Sequence, residues 1–481
     1  MRTLLISLAV LLGACSSGGP SAEAPAAKKP NIVFVLLDDV RFDDVGFGGH
    51  PFVKTPNFDR IAHEGMMFDN AFASTPLCSP NRATILTGQY AHTHGIIDNV
   101  DRSAESHKLR TFPRLLHEAG YNTAFIGKWH MGIDPSARPG FDEWLSIKGQ
   151  GYYFDPEVDD NGEAKKMEGY ATDIFSERAA EFIRRERDAP FALYLSHKAV
   201  HPNIFQNADG SIKDIPEDHG FTPPDRLKEL YAGETLPRRS NYSELGKGKK
   251  ALERDVPGLD PVGAKTATPD DVILNRLRML TAADEAFAMV LKALDETGQM
   301  DDTVVVVTSD HGYFYGEHGL FEERRLAYEE TIKIPTAIRY PAVFQAGSKS
   351  EAFVESTDFA PTMLDLAGVA IPGDMQGRSL VPLADGKTPA DWRDAVLIEY
   401  FSDKVWPRLV QMGYQAVRTD RWKLIHYTDL EGMDEMYDLQ TDPYEQTNVI
   451  DDPAAQEERK KLQGKLEELL KASGGELARP F

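Results

Sequence analysis

Residues 31–37 form the apolar run that most constrains how this chain folds. The run reads Asn-Ile-Val-Phe-Val-Leu-Leu and lies between Pro30 and two aspartates. A run without polar alternation indicates a strand buried on both faces, which is typical of a parallel sheet. Comparable runs lie at 123–126, 191–195 and 303–308. We therefore expect a sheet that is covered by helices on both sides.

Helical patterns lie between these runs. One follows the Thr-Pro start signal at residue 55 and ends near residue 64, and others cover 112–119, 171–187 and 272–297. Strands that alternate with helices predict an α/β domain with a large, mostly parallel sheet sandwiched by helices. Ligands bind such sheets beyond the carboxyl ends of the strands.

Two later regions depart from this alternation. Residues 203–270 are rich in Pro, Gly, Asp and Lys without clear periodicity, so we expect a long excursion over the surface. From residue 377, short strand-like runs precede a charged amphipathic stretch at 454–470. The sequence thus predicts a catalytic domain over 30–376 and a C-terminal subdomain over 377–481, built from a small antiparallel sheet with a closing helix.

The first 29 residues have the layout of an export signal and a tether. Arg2 precedes an apolar run, Leu4 to Leu12, that is too short to span a bilayer. The following Gly-Ala-Cys15-Ser resembles the lipobox of bacterial lipoproteins, in which the cysteine is lipidated. The alternative is a plain signal peptide that contains a cysteine. We expect an exported protein, held by its lipid alone at the periplasmic face of a membrane or at the cell surface, with 16–29 as a flexible tether.

The net charge of the chain excludes one class of partner. Its 481 residues include 76 Asp and Glu against 53 Lys and Arg, which gives a net charge of -23. Binding a nucleic-acid backbone requires an excess of cations, so we expect no nucleic-acid partner. A local cluster of cations can still bind a small anion.

Two pairs of residues that could bind a metal ion directly follow apolar runs. Asp38 and Asp39 end the first run, and Asp310 and His311 end the last. A single pair of this kind is more often a turn or a helix cap. Three carboxylates together favour a hard cation, Ca²⁺ or Mg²⁺, and the histidine nitrogen leaves room for Mg²⁺ or Mn²⁺.

The sequence contains two cysteines, Cys15 and Cys78. Lipidation of Cys15 would leave Cys78 without a partner. A lone thiol in an oxidising compartment is a liability unless it has a task, although free cysteine is often a small buried hydrophobe. Its segment reads Thr-Pro-Leu-Cys78-Ser-Pro-Asn-Arg82-Ala-Thr-Ile-Leu-Thr-Gly. The Cys-x-Pro-x-Arg and Leu-Thr-Gly elements resemble the signature of formylglycine-dependent sulfatases, carbohydrate and aryl sulfatases of the alkaline-phosphatase-like superfamily. The resemblance extends from residue 31 to Tyr437-Asp-Leu-x-x-Asp-Pro.

This resemblance implies the chemistry of the site. A maturation enzyme would oxidise Cys78 to formylglycine, whose aldehyde hydrates to a geminal diol. One hydroxyl attacks sulfur and displaces the alcohol, and the second then loses its proton and expels sulfate. Arg82, one helical turn further on, would hold the diol. The resemblance selects calcium as the ion and implies five ligands: Asp38, Asp39, Cys78, Asp310 and His311.

The resemblance also assigns roles to three residues in two further motifs. In Gly-Lys128-Trp-His130, the lysine binds sulfate and the histidine deprotonates the diol. His201, the second histidine of His-Lys-Ala-Val-His-Pro, binds sulfate or assists the leaving oxygen. Histidine suits both tasks because its ordinary pKa of about 6.5 lies near working pH.

Arg324 departs from the pattern, because many relatives carry a sulfate-binding lysine in this region. Arg325 is the second candidate for that position. Arginine grips sulfate bidentately but cannot give up its proton, which would shift protonation of the leaving group to His201 or to water. Alternatively, both arginines pair with acidic neighbours: Glu322, Glu323, Glu329 or Glu330.

Taken together, the motifs predict a sulfatase that acts on a sulfated polysaccharide or its oligosaccharide fragments. The nearest alternative is a phosphonate or phosphodiester hydrolase of the same superfamily, because both ester classes are tetrahedral and some members share the cysteine motif. A remote alternative is an inactive surface-binding homologue. An inactive homologue is expected to lack at least one site residue. In this sequence the cysteine motif, the Gly-Lys-Trp-His motif and both pairs of possible metal ligands are present.

Overall fold

The apolar runs of the sequence become the central strands of a ten-stranded sheet. A computed structural model describes residues 29–212, 219–321, 323–401 and 406–481. The predicted export signal, which includes Cys15, and Glu322 lie outside the described residues. In chain order, the strands are β1 Asn31–Leu37, β2 Met66–Phe68, β3 Ala71–Phe72, β4 Asn122–Gly127, β5 Glu143–Ile147, β6 Glu157–Asp160, β7 Glu163–Lys166, β8 Phe191–Ser196, β9 Thr303–Ser309, β10 Thr336–Arg339, β11 Ser348–Ser350, β12 Val354–Glu355, β13 Ala395–Tyr400, β14 Tyr414–Thr419, β15 Trp422–Tyr427 and β16 Glu435–Asp438.

Helices fill the connections between these strands. Those of the described residues are α1 Pro56–His63, α2 Cys78–Thr87, α3 Ala91–His94, α4 Ser103–Ser106, α5 Phe112–Glu118, α6 Ala171–Arg184, α7 Asp270–Glu296, α8 Glu329–Ile332, α9 Phe359–Leu366 and α10 Gln456–Ala472. Within the described ranges, no helix is both long enough and apolar enough for a membrane span.

The large sheet has a parallel centre and flanks that contain antiparallel pairs. Its strand order is β11-β2-β10-β9-β1-β8-β4-β5-β6-β7. Strands β9, β1, β8, β4 and β5 are parallel neighbours, whereas β10, β6 and β7 pair in antiparallel fashion. The β6–β7 hairpin turns at Asn161-Gly162, where both residues have positive φ, as a type I′ turn requires. The predicted α/β fold is confirmed, with a sheet that is mixed rather than parallel throughout.

Both faces of β1 are buried, which explains its unbroken apolar run. Val33, Val35 and Leu37 pack in the core on one side, which also contains residues of α6 and α7. Ile32, Phe34 and Leu36 pack in the opposite core, with residues of α5 and α9. Alternate residues of a strand point to opposite faces, so a strand between two helical layers is apolar at every position.

The C-terminal part forms the predicted small antiparallel sheet, in the order β13-β14-β15-β16. The closing helix α10 contributes Leu462, Leu466 and Leu470 to the core beside it. The stretch predicted as a surface excursion is largely irregular, but it does not lie wholly on the surface. Asn241 and Lys249 are fully buried, and the Lys249 ammonium donates to Tyr437 Oη of β16 at 2.6 Å. This stretch therefore packs in part against the C-terminal sheet.

Candidate active site

The predicted site residues meet at the carboxyl ends of four neighbouring strands. Asp38 and Asp39 follow β1, Asp310 and His311 follow β9, Lys128 and His130 follow β4, and His201 follows β8. These strands are adjacent and parallel, so their carboxyl ends lie at one edge of the sheet. All seven side chains are buried.

Cys78 begins helix α2, which carries the cysteine motif into the site. Arg82 lies one turn further on the same helix. The helix ends at Gly88, which has a φ of 68° and donates its N–H to the Thr84 carbonyl at 2.8 Å. That left-handed cap accounts for the glycine of the Leu-Thr-Gly element.

His311 lies between Cys78 and Asp39. Its Nδ1 is 2.9 Å from the Gly312 carbonyl, which can only accept, so Nδ1 carries the proton. Burial lowers the pKa of His311 to about 4, which keeps the ring neutral. The unprotonated Nε2 therefore faces Cys78 Sγ at 3.4 Å and Asp39 Oδ1 at 3.1 Å.

Arg82 ties the cysteine helix to the strand ends. Its Nε donates to Asp310 Oδ2 at 2.9 Å, and its Nη2 lies 3.3 Å from Asp38 Oδ1. Its Nη1 donates at 2.8 Å to both the Lys128 carbonyl and Ser196 Oγ. The guanidinium thus bridges residues that follow β1, β9 and β4, and these contacts fix its orientation.

The ionisable side chains of the site are buried and paired with one another. Burial by itself would raise the pKa of Asp38, but Lys128 and Arg82 outweigh it and hold that pKa well below its usual range. The Lys128 ammonium donates directly to Asp38. Burial and the neighbouring Asp38 instead raise the pKa of Asp310. Three cations face three carboxylates here: Arg82, Lys128 and Arg324 against Asp38, Asp39 and Asp310.

Arg324, rather than Arg325, enters the site. Its Nε lies 3.2 Å from Asp39 Oδ2, and its Nη2 lies 3.1 Å from His201 Nε2. Arg325 lies beside the Trp406 ring instead, at 5.7 Å. The described acidic neighbours have other partners: Glu323 pairs with Arg408, Glu329 with Arg418 and Lys423, and Glu330 with Arg239.

His201 is held as a neutral acceptor. Its Nδ1 is 3.0 Å from the Pro202 carbonyl, which leaves Nε2 to accept from Arg324. Burial and the nearby Lys128 lower its pKa well below the usual value. In this arrangement His201 has no proton to give at Nε2, so it would have to gain one before it assisted a leaving oxygen.

Several residues that shape the site do not stand out in the sequence. Ser79 Oγ donates to the His130 carbonyl and the Asn81 amide to the Asp310 carbonyl. Arg276 of α7 donates to the Asp39 carbonyl at 2.5 Å. Gln206 contacts the His130 ring at 2.8 Å. Ser79 and Asn81 lie inside the cysteine motif, but Arg276 and Gln206 follow no pattern that would have identified them.

Two groups of possible metal ligands coincide with the predicted set. Donor atoms of Asp39, Cys78 and His311 lie within 4.8 Å of one another, and so do those of Asp38, Cys78 and Asp310. All five residues are fully buried. The predicted ligands thus come together around Cys78, although Asp310 and His311 follow the other three by more than two hundred residues in sequence.

Known proteins resemble this chain over most of its length. A family model described as Sulfatase matches residues 30–369, and one described as the C-terminal part of N-sulphoglucosamine sulphohydrolase matches residues 316–472. An N-acetylglucosamine-6-O-sulfatase of Bacteroides thetaiotaomicron is 36% identical, over 98% of this chain and 90% of that protein. An ulvan-active sulfatase of Formosa agariphila is 31% identical, over 93% of this chain and 82% of that protein.

Solved structures give the same result for the fold. One, a complex with the substrate D-glucosamine-2-N,6-O-disulfate, has a TM-score of 0.80 and 33% identity, over 93% of this chain and 98% of that chain. The phosphonate monoester hydrolase of Agrobacterium radiobacter has a TM-score of 0.70 at 23% identity, over 92% of this chain and 96% of that chain, and shares the fold alone. This chain belongs to the sulfatase family and is a sulfuric ester hydrolase.

Proposed function

We propose that this enzyme removes sulfate from O6 of glucosamine units in sulfated glycans, using formylglycine at position 78 and a divalent cation. Similarity over nearly the whole chain supports the substrate. A relative found by sequence is named as an N-acetylglucosamine-6-O-sulfatase, and a similar solved structure holds a 6-O-sulfated glucosamine. The buried cluster around Cys78 supports the chemistry.

The contact between His311 and Asp39 is the main observation that supports a bound cation. The unprotonated Nε2 of His311 faces a carboxylate oxygen at 3.1 Å. Two lone pairs repel each other at this distance unless a cation lies between them. Within the described residues, neither oxygen of Asp39 accepts a regular hydrogen bond, although the side chain is fully buried. A histidine whose other nitrogen donates to a backbone carbonyl is also the usual state of a metal ligand.

The charge balance fits the same set of groups. Three buried cations already compensate three buried carboxylates. A divalent cation bound together with a monoanionic sulfate ester and one ionised hydroxyl would preserve that neutrality. Carboxylate ligands suit calcium, and the calcium identity is part of the proposal. When bound, the cation would lower the pKa of the attacking hydroxyl and neutralise charge on the sulfate oxygens.

The state of Cys78 supports its conversion to formylglycine. Burial raises the pKa of the thiol, so the unmodified side chain would not ionise to a thiolate near neutral pH. An aldehyde hydrate offers an oxygen nucleophile in the same place. Arg82 would orient it from the next turn of α2. A maturation enzyme supplies the oxidation.

The remaining residues would act on the sulfate and on protons. Lys128 and Arg324 are buried cations on either side of the aspartate pair and would bind the sulfate oxygens by charge-assisted hydrogen bonds. His130 would take the proton from the diol. His201 would hold Arg324 and, once protonated, assist the leaving oxygen.

We also propose that the protein is exported and held at a membrane by lipid on Cys15. The support is the lipobox-like sequence that follows the apolar run near the N-terminus. A substrate too large to cross a membrane fits an enzyme placed outside the cytoplasm.

A saccharide panel tests the substrate. Protein made with a maturation enzyme is assayed with glucosamine 6-sulfate, its N-acetylated and N-sulfated forms, the 3-sulfate, galactosamine 4-sulfate and a phenylphosphonate monoester. We expect sulfate release from the 6-sulfates at the highest kcat/KM, and Cys78→Ala is the inactive control. Preference for another sulfate position would contradict the assigned substrate. Faster turnover of the phosphonate would favour the alternative hydrolase.

A further inference from the structure

Gln206 contacts the ring of His130, although it does not belong to any of the sulfatase sequence motifs. His130 Nε2 lies 2.8 Å from Gln206 Oε1. Both side chains are buried, at 4% and 9% exposure. Gln206 lies at the start of the irregular stretch 203–270, more than seventy residues after His130.

The orientation of the Gln206 amide is fixed by two other contacts. Its Nε2 donates to the Gly210 carbonyl at 2.9 Å, and a carbonyl can only accept. A flipped amide would put two oxygens in contact there. In addition, Gln150 Nε2 donates to Gln206 Oε1 at 3.2 Å. Oε1 therefore faces His130 as an acceptor, which requires a proton on His130 Nε2.

The segment that carries Gln206 is itself held in place. Gln206 forms an antiparallel bridge with Ile212, and the Asn207 N–H donates to the Ser211 carbonyl at 2.8 Å. The Asp101 N–H donates to the Ala208 carbonyl at 2.7 Å. This short hairpin is therefore tied to the main domain, and it presents the glutamine in one orientation.

We infer that Gln206 is a positioning residue that fixes His130 as the Nε2–H tautomer and leaves Nδ1 as the nitrogen that takes a proton. Within the described residues, His130 Nδ1 is buried and has no hydrogen-bond partner. Gln206 is a neutral acceptor, so it orients the ring without stabilising the imidazolium as a carboxylate would. This inference rests on the proposed function, in which His130 is the base.

The charged groups around His130 agree with a neutral ring. Lys128 and Arg82 face it from β4 and α2, and Asp38 faces it from the end of β1. Burial and Lys128 lower the pKa of His130 well below the usual value. The hydrogen bond to Gln206 opposes this lowering of the pKa without reversing it, whereas a carboxylate at the same position would oppose it more strongly.

The tautomer is tested directly by ¹⁵N NMR of histidine-labelled Cys78→Ala protein, with His130→Gln to assign the signal. We expect a protonated Nε2 and an unprotonated Nδ1 in the parent, and loss of the single tautomer in Gln206→Leu. A protonated Nδ1 in the parent would overturn the inference. This readout needs neither turnover nor formylglycine, so it is independent of the proposed function.

The pH profile of kcat is the second test. In Gln206→Glu, the carboxylate should raise the pKa of His130 by about 1 unit or more. A base is inactive when it is protonated. The acidic limb of the kcat profile should therefore move to higher pH by as much as the pKa of His130 rises. Gln206→Leu should lower kcat by about 10²-fold, the lower end of what general base catalysis contributes, without raising the limb. Gln440→Glu, at an exposed position, is the matched charge control.

An acidic limb that moves equally in Gln206→Glu and Gln440→Glu would refute the positioning role. Full activity of His130→Ala would instead refute the assignment of His130 as the base, whatever its tautomer. The two failures are therefore distinguishable.

Discussion

Replacing Arg324 by alanine tests how the enzyme stabilises the charge on sulfate. The guanidinium is 3% exposed and contacts Asp39 at 3.2 Å and His201 at 3.1 Å. Its loss removes one of three cations that balance three buried carboxylates. Removing one preorganised donor to a developing anion costs about 2.7–4 kcal/mol, which corresponds to about 10²- to 10³-fold in kcat.

The leaving group shows what kind of catalysis is lost. Arginine stabilises charge but holds its proton, because its pKa stays above about 12. We therefore expect Arg324→Ala to slow a nitrophenyl sulfate and glucosamine 6-sulfate by similar factors. His201→Ala should slow the sugar sulfate more, since an alkoxide needs a proton and a nitrophenolate does not.

Steady-state kinetics on both substrates decides between these patterns. Arg325→Ala, which changes the next residue along the chain, is the matched control and should keep most of the activity. Because Arg324 and His201 are in contact, their double variant should show a coupling energy of about 0.5–3 kcal/mol. An unchanged kcat in Arg324→Ala, or a loss confined to the sugar sulfate, would refute the reasoning.

Three further predictions concern modification, metal and export. Mass spectrometry should show the Cys78 peptide lighter by one thiol-to-aldehyde conversion, and full turnover by Cys78→Ala would disprove the nucleophile. Chelation should abolish activity and lower thermal stability. Added calcium should restore both in the parent protein but not in Asp310→Ala. Calcium at 100 times its Kd should raise the free energy of unfolding by about 2.7 kcal/mol. An enzyme indifferent to chelation would have no functional cation. Cys15→Ser should move the protein from the membrane fraction to the soluble one, and unchanged fractionation would rule out the lipid anchor.

The motifs and the apolar runs were sufficient to predict the family and the layered α/β fold, and they named most of the residues that meet in the candidate site. Strands buried on both faces have a local signature, because every residue is apolar. The acidic pairs lie at strand ends, so the parallel order alone brings them together. The short flanking strands of the large sheet were harder to foresee, since strands of three or four residues carry little periodicity.

The sequence shows which residue types stand at the ends of β1, β4, β8 and β9, and that the cysteine helix carries Arg82 one turn after Cys78. How these residues interact depends on the tertiary fold. It selected Arg324 over Arg325, gave His311 and His201 their tautomers, and placed Gln206 on His130. The physical reason is that hydrogen-bond direction depends on which groups meet after folding. Carbonyls from Gly312, Pro202 and Gly210 fix these protons and the Gln206 amide, and a backbone carbonyl leaves no trace in a sequence motif.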